Sequence, residues 1–338
     1  MIVLAFLVLV VMLGVYVLLD GYDLGVGAVN LFVARDDAER EAVLESIGPY
    51  WNGNEVWLIA AGGTLFALFP QVYASSFSGF YLPFMVLLWL LMFRGIAFEL
   101  RGQFPSDLWR GFFDVTFAAA SALLILVLGV ALGNVLRGVP LDPAHYFVGT
   151  FTFLLNPYAV GVGLLAVLAL AQHGAAWIAD RVDGPPARRA LTAIRILWPL
   201  VLGLTGVMTI ATFRAHSPVP NLLAMPGIAV APLCSIVGLV GVATFVLQGR
   251  TPRLFAASTL FLAGLLASAA ATLYPYLLPG YPSPETGLSI FSAPISPLAL
   301  QTMLPIAIGG LLIVAAYRSF VGVRLSAGRS KAEAAETP

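Results

Sequence analysis

The sequence predicts an all-α polytopic membrane protein of about nine transmembrane helices. These are expected as two four-helix bundles plus one peripheral helix, with the N-terminus outside and the C-terminus inside. Three observations carry this reading. The 338 residues are 60% hydrophobic and only 10% charged, whereas soluble domains carry about a quarter charged residues. Apolar segments near the ~20 residues needed to cross hydrocarbon recur along the whole chain. The basic residues are partitioned between alternate loops.

The candidate spans are residues 2–33, 53–69, 75–99, 112–133, 156–179, 190–213, 222–247, 251–273 and 298–320. The first is overlong, so it tilts or projects; the second is short and starts after the polar WNGN. A lipid-embedded backbone must satisfy itself, which leaves helices or closed barrels, and these lengths exclude strands. Loops after the odd-numbered spans hold Arg35, Arg40, Arg101, Arg110, Arg181, Arg188, Arg189, Arg250 and Arg253, and the tail adds Arg318, Arg324, Arg329 and Lys331. Thirteen of the seventeen basic residues thus fall on one side, against Arg137 and Arg214 on the other, with Arg94 and Arg195 inside spans. The positive-inside rule puts the thirteen in the cytoplasm. An odd number of spans then agrees with the charge pattern. The first segment lacks a basic n-region and a small-residue cleavage site, so it reads as an uncleaved span.

Residues 1–133 are expected as the first bundle, with 34–50 as a mixed-charge cytoplasmic surface helix. Residues 134–273 form the second bundle. Residues 274–297 hold six prolines and no basic residue, and proline at that density breaks helices, so an irregular outer loop is expected. Residues 298–320 are the ninth helix and 321–338 a cytoplasmic tail, expected to lack structure from Ser326. A formal net charge of zero gives no sign of a nucleic-acid partner. The lone cysteine, Cys234, offers neither a disulfide nor a metal pair.

The chemistry lies in acids placed where hydrocarbon should be. Asp20, Asp23, Gly27 and Asn30 follow i, i+3, i+7, i+10 and share one helical face. Gly21 and Gly25 form a GxxxG on another face, fit for a close helix neighbour. A carboxylate facing lipid at the helix centre costs roughly 3 kcal/mol on insertion scales. The polar face must therefore meet protein or water, unless both acids sit at the interface and merely cap or pair. Asn52 is a candidate cap for the second span, and Glu55 in its first turn suits the helix dipole. Arg94, within FRGIAFELR, lies near the depth of Trp51 to Glu55 once the two spans are folded back as a hairpin. An unpaired buried charge is far more costly than a paired one, so a Glu55–Arg94 pair extended by Asp23 is expected. Asp114 opens the fourth span, where the dipole alone could account for it. Of three histidines, only His173 lies in a span; it reads as a packing or hydrogen-bonded residue, because one histidine cannot ligate several haems. On these grounds an oxidoreductase subunit and an ion-coupled secondary transporter both stand.

Several motifs, in order, narrow the choice: LDGYDLGVG (19–27), WNGNEVWLIAAGGTLFALFPQVYASSFSGFY (51–81), FRGIAFELR (93–101), GNVLRGVP (133–140), LNPYAVGVG (155–163), YPYLLP (274–279) and LSIFSAPISPLALQTM (288–303). Through them the chain resembles subunit II of the cytochrome bd-type quinol oxidases over nearly its whole length. The resemblance implies a haem-free subunit with no catalytic residue of its own, in the bacterial cytoplasmic membrane. Its expected partner is a subunit I that carries haem b and haem d, oxidises quinol and reduces dioxygen to water. A small single-helix accessory subunit, a structural quinone and lipids are further partners compatible with it. The resemblance would also place Asp20, Asp23, Asn52, Glu55, Arg94 and Asp114 near a route for protons from the cytoplasm. Some relatives carry an acid where this chain has Asn52. An amide cannot release a proton at neutral pH, so Glu55 or an acid of subunit I would take that role, or the route would be dispensable.

Overall fold

The computed structural model describes residues 1–293 and 296–336, with side chains through Ala316. It is helical almost throughout: α1 (Ile2–Val33), α2 (Asp37–Glu45), α3 (Trp51–Leu68), α4 (Pro70–Gly79), α5 (Tyr81–Leu100), α6 (Asp107–Arg137), α7 (Phe151–Leu154), α8 (Pro157–Arg181), α9 (Pro185–Ala215), α10 (Val219–Ala224), α11 (Val230–Gln248), α12 (Thr251–Leu273) and α13 (Pro297–Glu336). Among the described residues, eight helices are long and apolar enough to cross a membrane: α1, α5, α6, α8, α9, α11, α12 and α13 through Ala316. The α3 helix is not among them, because Asn52, Asn54 and Glu55 crowd its opening turns. The chain is an all-α polytopic membrane protein.

Local chemistry sets the helix ends. Asn156 accepts the Ala159 amide at 2.9 Å as the N-cap of α8, with Pro157 following at the first helical position. Gly249 ends α11 in the left-handed conformation at φ 65°. Several expected boundaries differ. The third span begins at Tyr81 rather than 75, because the expected short link is itself a helix, α4, set off by Phe69 and Phe80. The seventh begins at Val230 rather than 222, since Pro226 separates α10 from it. The tail, expected to lack structure from Ser326, continues α13 to Glu336; its Ala, Glu, Lys and Arg are strong helix formers.

At the molecule's centre, α1 packs on α3 and α6 from one half of the sequence and on α8 and α12 from the other. The α1–α8 contact is the close approach expected of the small residues. A β-carbon on Gly25 would lie 1.9 Å from the Leu170 carbonyl oxygen, and one on Gly174 would lie 2.1 Å from the Gly25 carbonyl carbon. The proline-rich segment carries a small antiparallel ladder, β1 (Tyr276–Leu278) on β2 (Leu288–Ser289), pairing Tyr276 with Ser289 and Leu278 with Leu288. Its Leu278, Leu288 and Ile290 are buried in one apolar cluster with Phe6 and Leu9 of α1. The Arg137 guanidinium stacks over Phe153 and Tyr281, 4.7 and 4.5 Å from their centroids, and ties this segment to the end of α6.

Candidate functional site: a charge cluster inside the membrane

Arg94 of α5 is the centre of the site. It is 1% exposed, and its guanidinium donates to Glu55 Oε1 at 2.8 Å and to Asp20 Oδ1 at 2.9 Å. The predicted Glu55–Arg94 pair is therefore present, and Asp20 is bonded to the same guanidinium. Asp20 is fully buried, while the Glu55 side chain is 29% exposed. Trp51 covers the guanidinium, its ring centroid 5.9 Å from Cζ. Two carboxyl groups thus share one guanidinium, one of them fully buried and the other partly exposed.

Asp23 is held differently. Its Oδ2 accepts from Asn54 Nδ2 at 2.6 Å, and the same amide nitrogen lies 2.9 Å from the Tyr22 hydroxyl and 3.2 Å from the Leu19 carbonyl oxygen. Asn54 is fully buried whereas Asn52 is exposed. Asn52 is thus outside the cluster, and Asn54 is the amide that sequence reasoning missed. A signal for it was there. Trp51, Asn54, Trp57, Ala61, Thr64 and Leu68 form the buried stripe of α3, and Asn52 falls far around the helix from that stripe.

Asp114 also departs from its expected role. The α6 helix starts at Asp107 with Ser106 as its cap, so Asp114 lies two turns in, beyond reach of the terminal dipole. It is 1% exposed and accepts from Arg101 Nε at 2.7 Å and from Arg40 Nη1 at 3.0 Å. Asp37 of α2 pairs with both Arg101 and Arg110, and Glu39 with Arg189. The Arg189 guanidinium beside Glu39 holds that carboxyl below its ordinary range. Sequence reasoning used Arg101 and Arg189 only for orientation and Asp37 and Glu39 only as part of a mixed-charge surface helix, and assigned none of them a partner. Their charges read as an ordinary solvated face.

His173 is fully buried. Its Nδ1 lies 3.0 Å from Ser258 Oγ and its Nε2 3.3 Å from the Leu18 carbonyl oxygen, and its ring stacks on Phe255 at 4.8 Å. Both ring nitrogens are engaged and one face is covered, so this residue does not fit an axial haem ligand. Among the described residues, no group of three or more His, Cys, Asp and Glu could hold a metal ion.

The cytochrome bd terminal oxidase subunit II family matches residues 1–322 of the chain. Among its relatives, the probable cytochrome oxidase subunit 2 of Haemophilus influenzae is 33% identical over 344 residues, covering 92% of this chain and 90% of that protein. The cytochrome bd-I ubiquinol oxidase subunit 2 of Escherichia coli K12 is 31% identical over 332 residues, covering 89% and 88%. In fold the chain is similar to a chain in the solved structure of the bd oxidase from Geobacillus thermodenitrificans, with a TM-score of 0.78, coverage of 96% and 98%, and 20% identity. Nothing in these matches supports the alternative of an ion-coupled secondary transporter. With a family match that takes in every residue of the charge cluster, the chain belongs to the cytochrome bd terminal oxidase subunit II family.

Proposed function

We propose that this chain, a subunit of a quinol:oxygen oxidoreductase, is the haem-free member of the complex. In this reading it braces the haem-bearing subunit I and gives water and protons access from the cytoplasm. The observation that carries the reading is the Arg94 cluster, a solvent-touched Glu55 joined through one guanidinium to a fully buried Asp20. Ionisable groups inside a membrane protein mark ion and proton routes. Asp23, held by Asn54, extends the polar face toward the cytoplasm. With Asn52 exposed, Glu55 is the acid of this segment that can exchange a proton.

The wider arrangement belongs to the same proposal. The α3 helix is the ninth span, shortened because its polar end lies within the cluster rather than in lipid. The basic residues set N-out/C-in in a bacterial cytoplasmic membrane, with two four-helix bundles and α13 outside them. A structural quinone suits the apolar cleft of about 270 Å³ between α1, α3 and α13. Trp57 lines that cleft, and its buried indole N–H has no protein acceptor. Lipids and a single-helix accessory subunit would cover the remaining apolar surface.

Expression decides the division of labour. The chain alone should enter the membrane without stoichiometric haem absorption, and with subunit I it should yield the haem spectrum and quinol-dependent oxygen uptake. His173→Ala should leave the haem content of that complex unchanged. An intact complex lacking one haem in that variant would overturn the assignment.

A further inference from the structure

Below the described cluster, three buried polar atoms have no protein partner: both amide atoms of Asn30 and the Ser121 hydroxyl oxygen. Both residues are 0% exposed. Buried polar groups in native proteins are satisfied by protein or by water, and the demand is greatest in a membrane interior. Their placement is orderly. Asn30 continues the α1 face of Asp20 and Asp23, and Gly27 lies between Asp23 and Asn30 on it. The missing side chain of Gly27 is replaced from across the seam by α6: Ser121 Oγ lies 2.2 Å from the point a β-carbon on Gly27 would occupy, and Phe117 Cε1 lies 3.2 Å from it.

The levels follow one another in short axial steps. At a rise of 1.5 Å per residue, Asp23 stands about 6 Å from the Gly27–Ser121 level, and Asn30 about 4.5 Å on its other side. One water bridging two groups spans roughly twice a 2.8 Å hydrogen bond. On α6, Asp114 lies two turns nearer the helix start than Ser121, and its partner Arg40 has a side chain 26% exposed.

We infer that Asn30 and Ser121 form a water-binding site in the α1–α6 seam, linking the Asp114–Arg40 pair at the cytoplasmic end to Asp23 and the Arg94 cluster. The inference rests on the proposed role in proton access and supplies a route for it. The residue types suit the task. An amide offers donor and acceptor together and orders water without titrating, and a rotating hydroxyl both donates and accepts. A proton entering the water file at one end displaces another at the far end, so no proton is stored on Asn30 or Ser121.

The test uses the whole oxidase, with subunit I, and Asn30→Leu, which keeps the branching and heavy-atom count and removes both polar atoms. Radiolytic hydroxyl-radical labelling in ¹⁸O-water should mark Phe117 in the unaltered complex, and Asn30→Leu should lower that mark at least about fivefold by displacing the bridging water. Quinol-dependent oxygen uptake should fall as well, with a larger slowing in deuterium oxide. Equal labelling of Phe117 in both complexes overturns the water site. Reduced labelling with unchanged turnover and unchanged isotope effect overturns the route. If Asn30→Leu does not assemble, Ser121→Ala removes one hydroxyl only and is judged by the same outcomes. Slowed turnover in Asp20→Asn and Glu55→Gln beside a normal Asn30→Leu would sink this route alone; normal turnover in all three would sink the broader role in proton access.

Discussion

Arg94 is the side chain whose loss should cost most, because it bonds two acids at once. Arg94→Ala leaves Asp20 without this partner at no exposure and Glu55 without it at partial exposure. Removing one partner of a buried pair typically costs about 3–5 kcal/mol. The rescue should be unequal: adding Asp20→Asn should recover more purified complex than adding Glu55→Gln, since the Glu55 side chain is partly exposed and Asp20 is not. Equal rescue would show that both acids are similarly hydrated. A second comparison separates the two asparagines of WNGN. Asn54→Ala strips the amide from Asp23 and should lower the melting temperature of the complex by several degrees, on the scale of about 1–3 kcal/mol for a hydrogen bond to a buried charge. Asn52→Ala, at an exposed position, should leave it within about 0.5 kcal/mol.

At the scale of elements, the α1–α8 contact is the least forgiving. Gly25→Ala would drive a methyl group into the Leu170 carbonyl and the Gly174 amide, neither of which can move without parting the helices. The variant should fail to assemble, whereas Gly14→Ala, with nothing within 4 Å of the new carbon, should assemble normally. Immunoblots of detergent-extracted complex would show the contrast. The α2 helix, outside the spans, is fastened by Asp37, Glu39 and Arg40 to arginines and an acid on three other elements. Glu39 has a lowered pKa because of Arg189. Its contribution is thus fully present above the ordinary glutamate value of 4.5 and disappears as pH falls through the lowered one. Hydrogen exchange of α2 amides should be steady at neutral pH and accelerate only in acid, and Arg189→Ala should accelerate it at neutral pH too.

For the whole molecule, the partition of basic residues sets the expected topology. A reporter that folds only in the cytoplasm should be active when fused after Pro338, and one active only outside should work when inserted near Pro282. Reversal of both signals would overturn N-out/C-in. A reporter at the N-terminus that is active in the cytoplasm, beside unchanged signals at Pro338 and Pro282, would show an odd span missing, with α3 the first suspect because Glu55 and two asparagines lower its hydropathy.

The sequence by itself determined the class of protein. Composition and apolar run length are one-dimensional properties, and hydrocarbon tolerates so few backbone arrangements that they suffice to imply an all-α polytopic chain. It determined, too, that Arg94 needs an acid and that Gly21 and Gly25 need a close neighbour, since both are demands of single residues on whatever surrounds them. Which partner answered each demand was decided only in three dimensions. Asp20 joined Glu55 on Arg94, Asn54 rather than Asn52 entered the cluster, and Asp114 met Arg40 and Arg101 instead of a helix terminus. Helix periodicity fixes the face on which a side chain lies. The rotation and depth of one helix against another are fixed by packing across many residues, which local spacing does not encode.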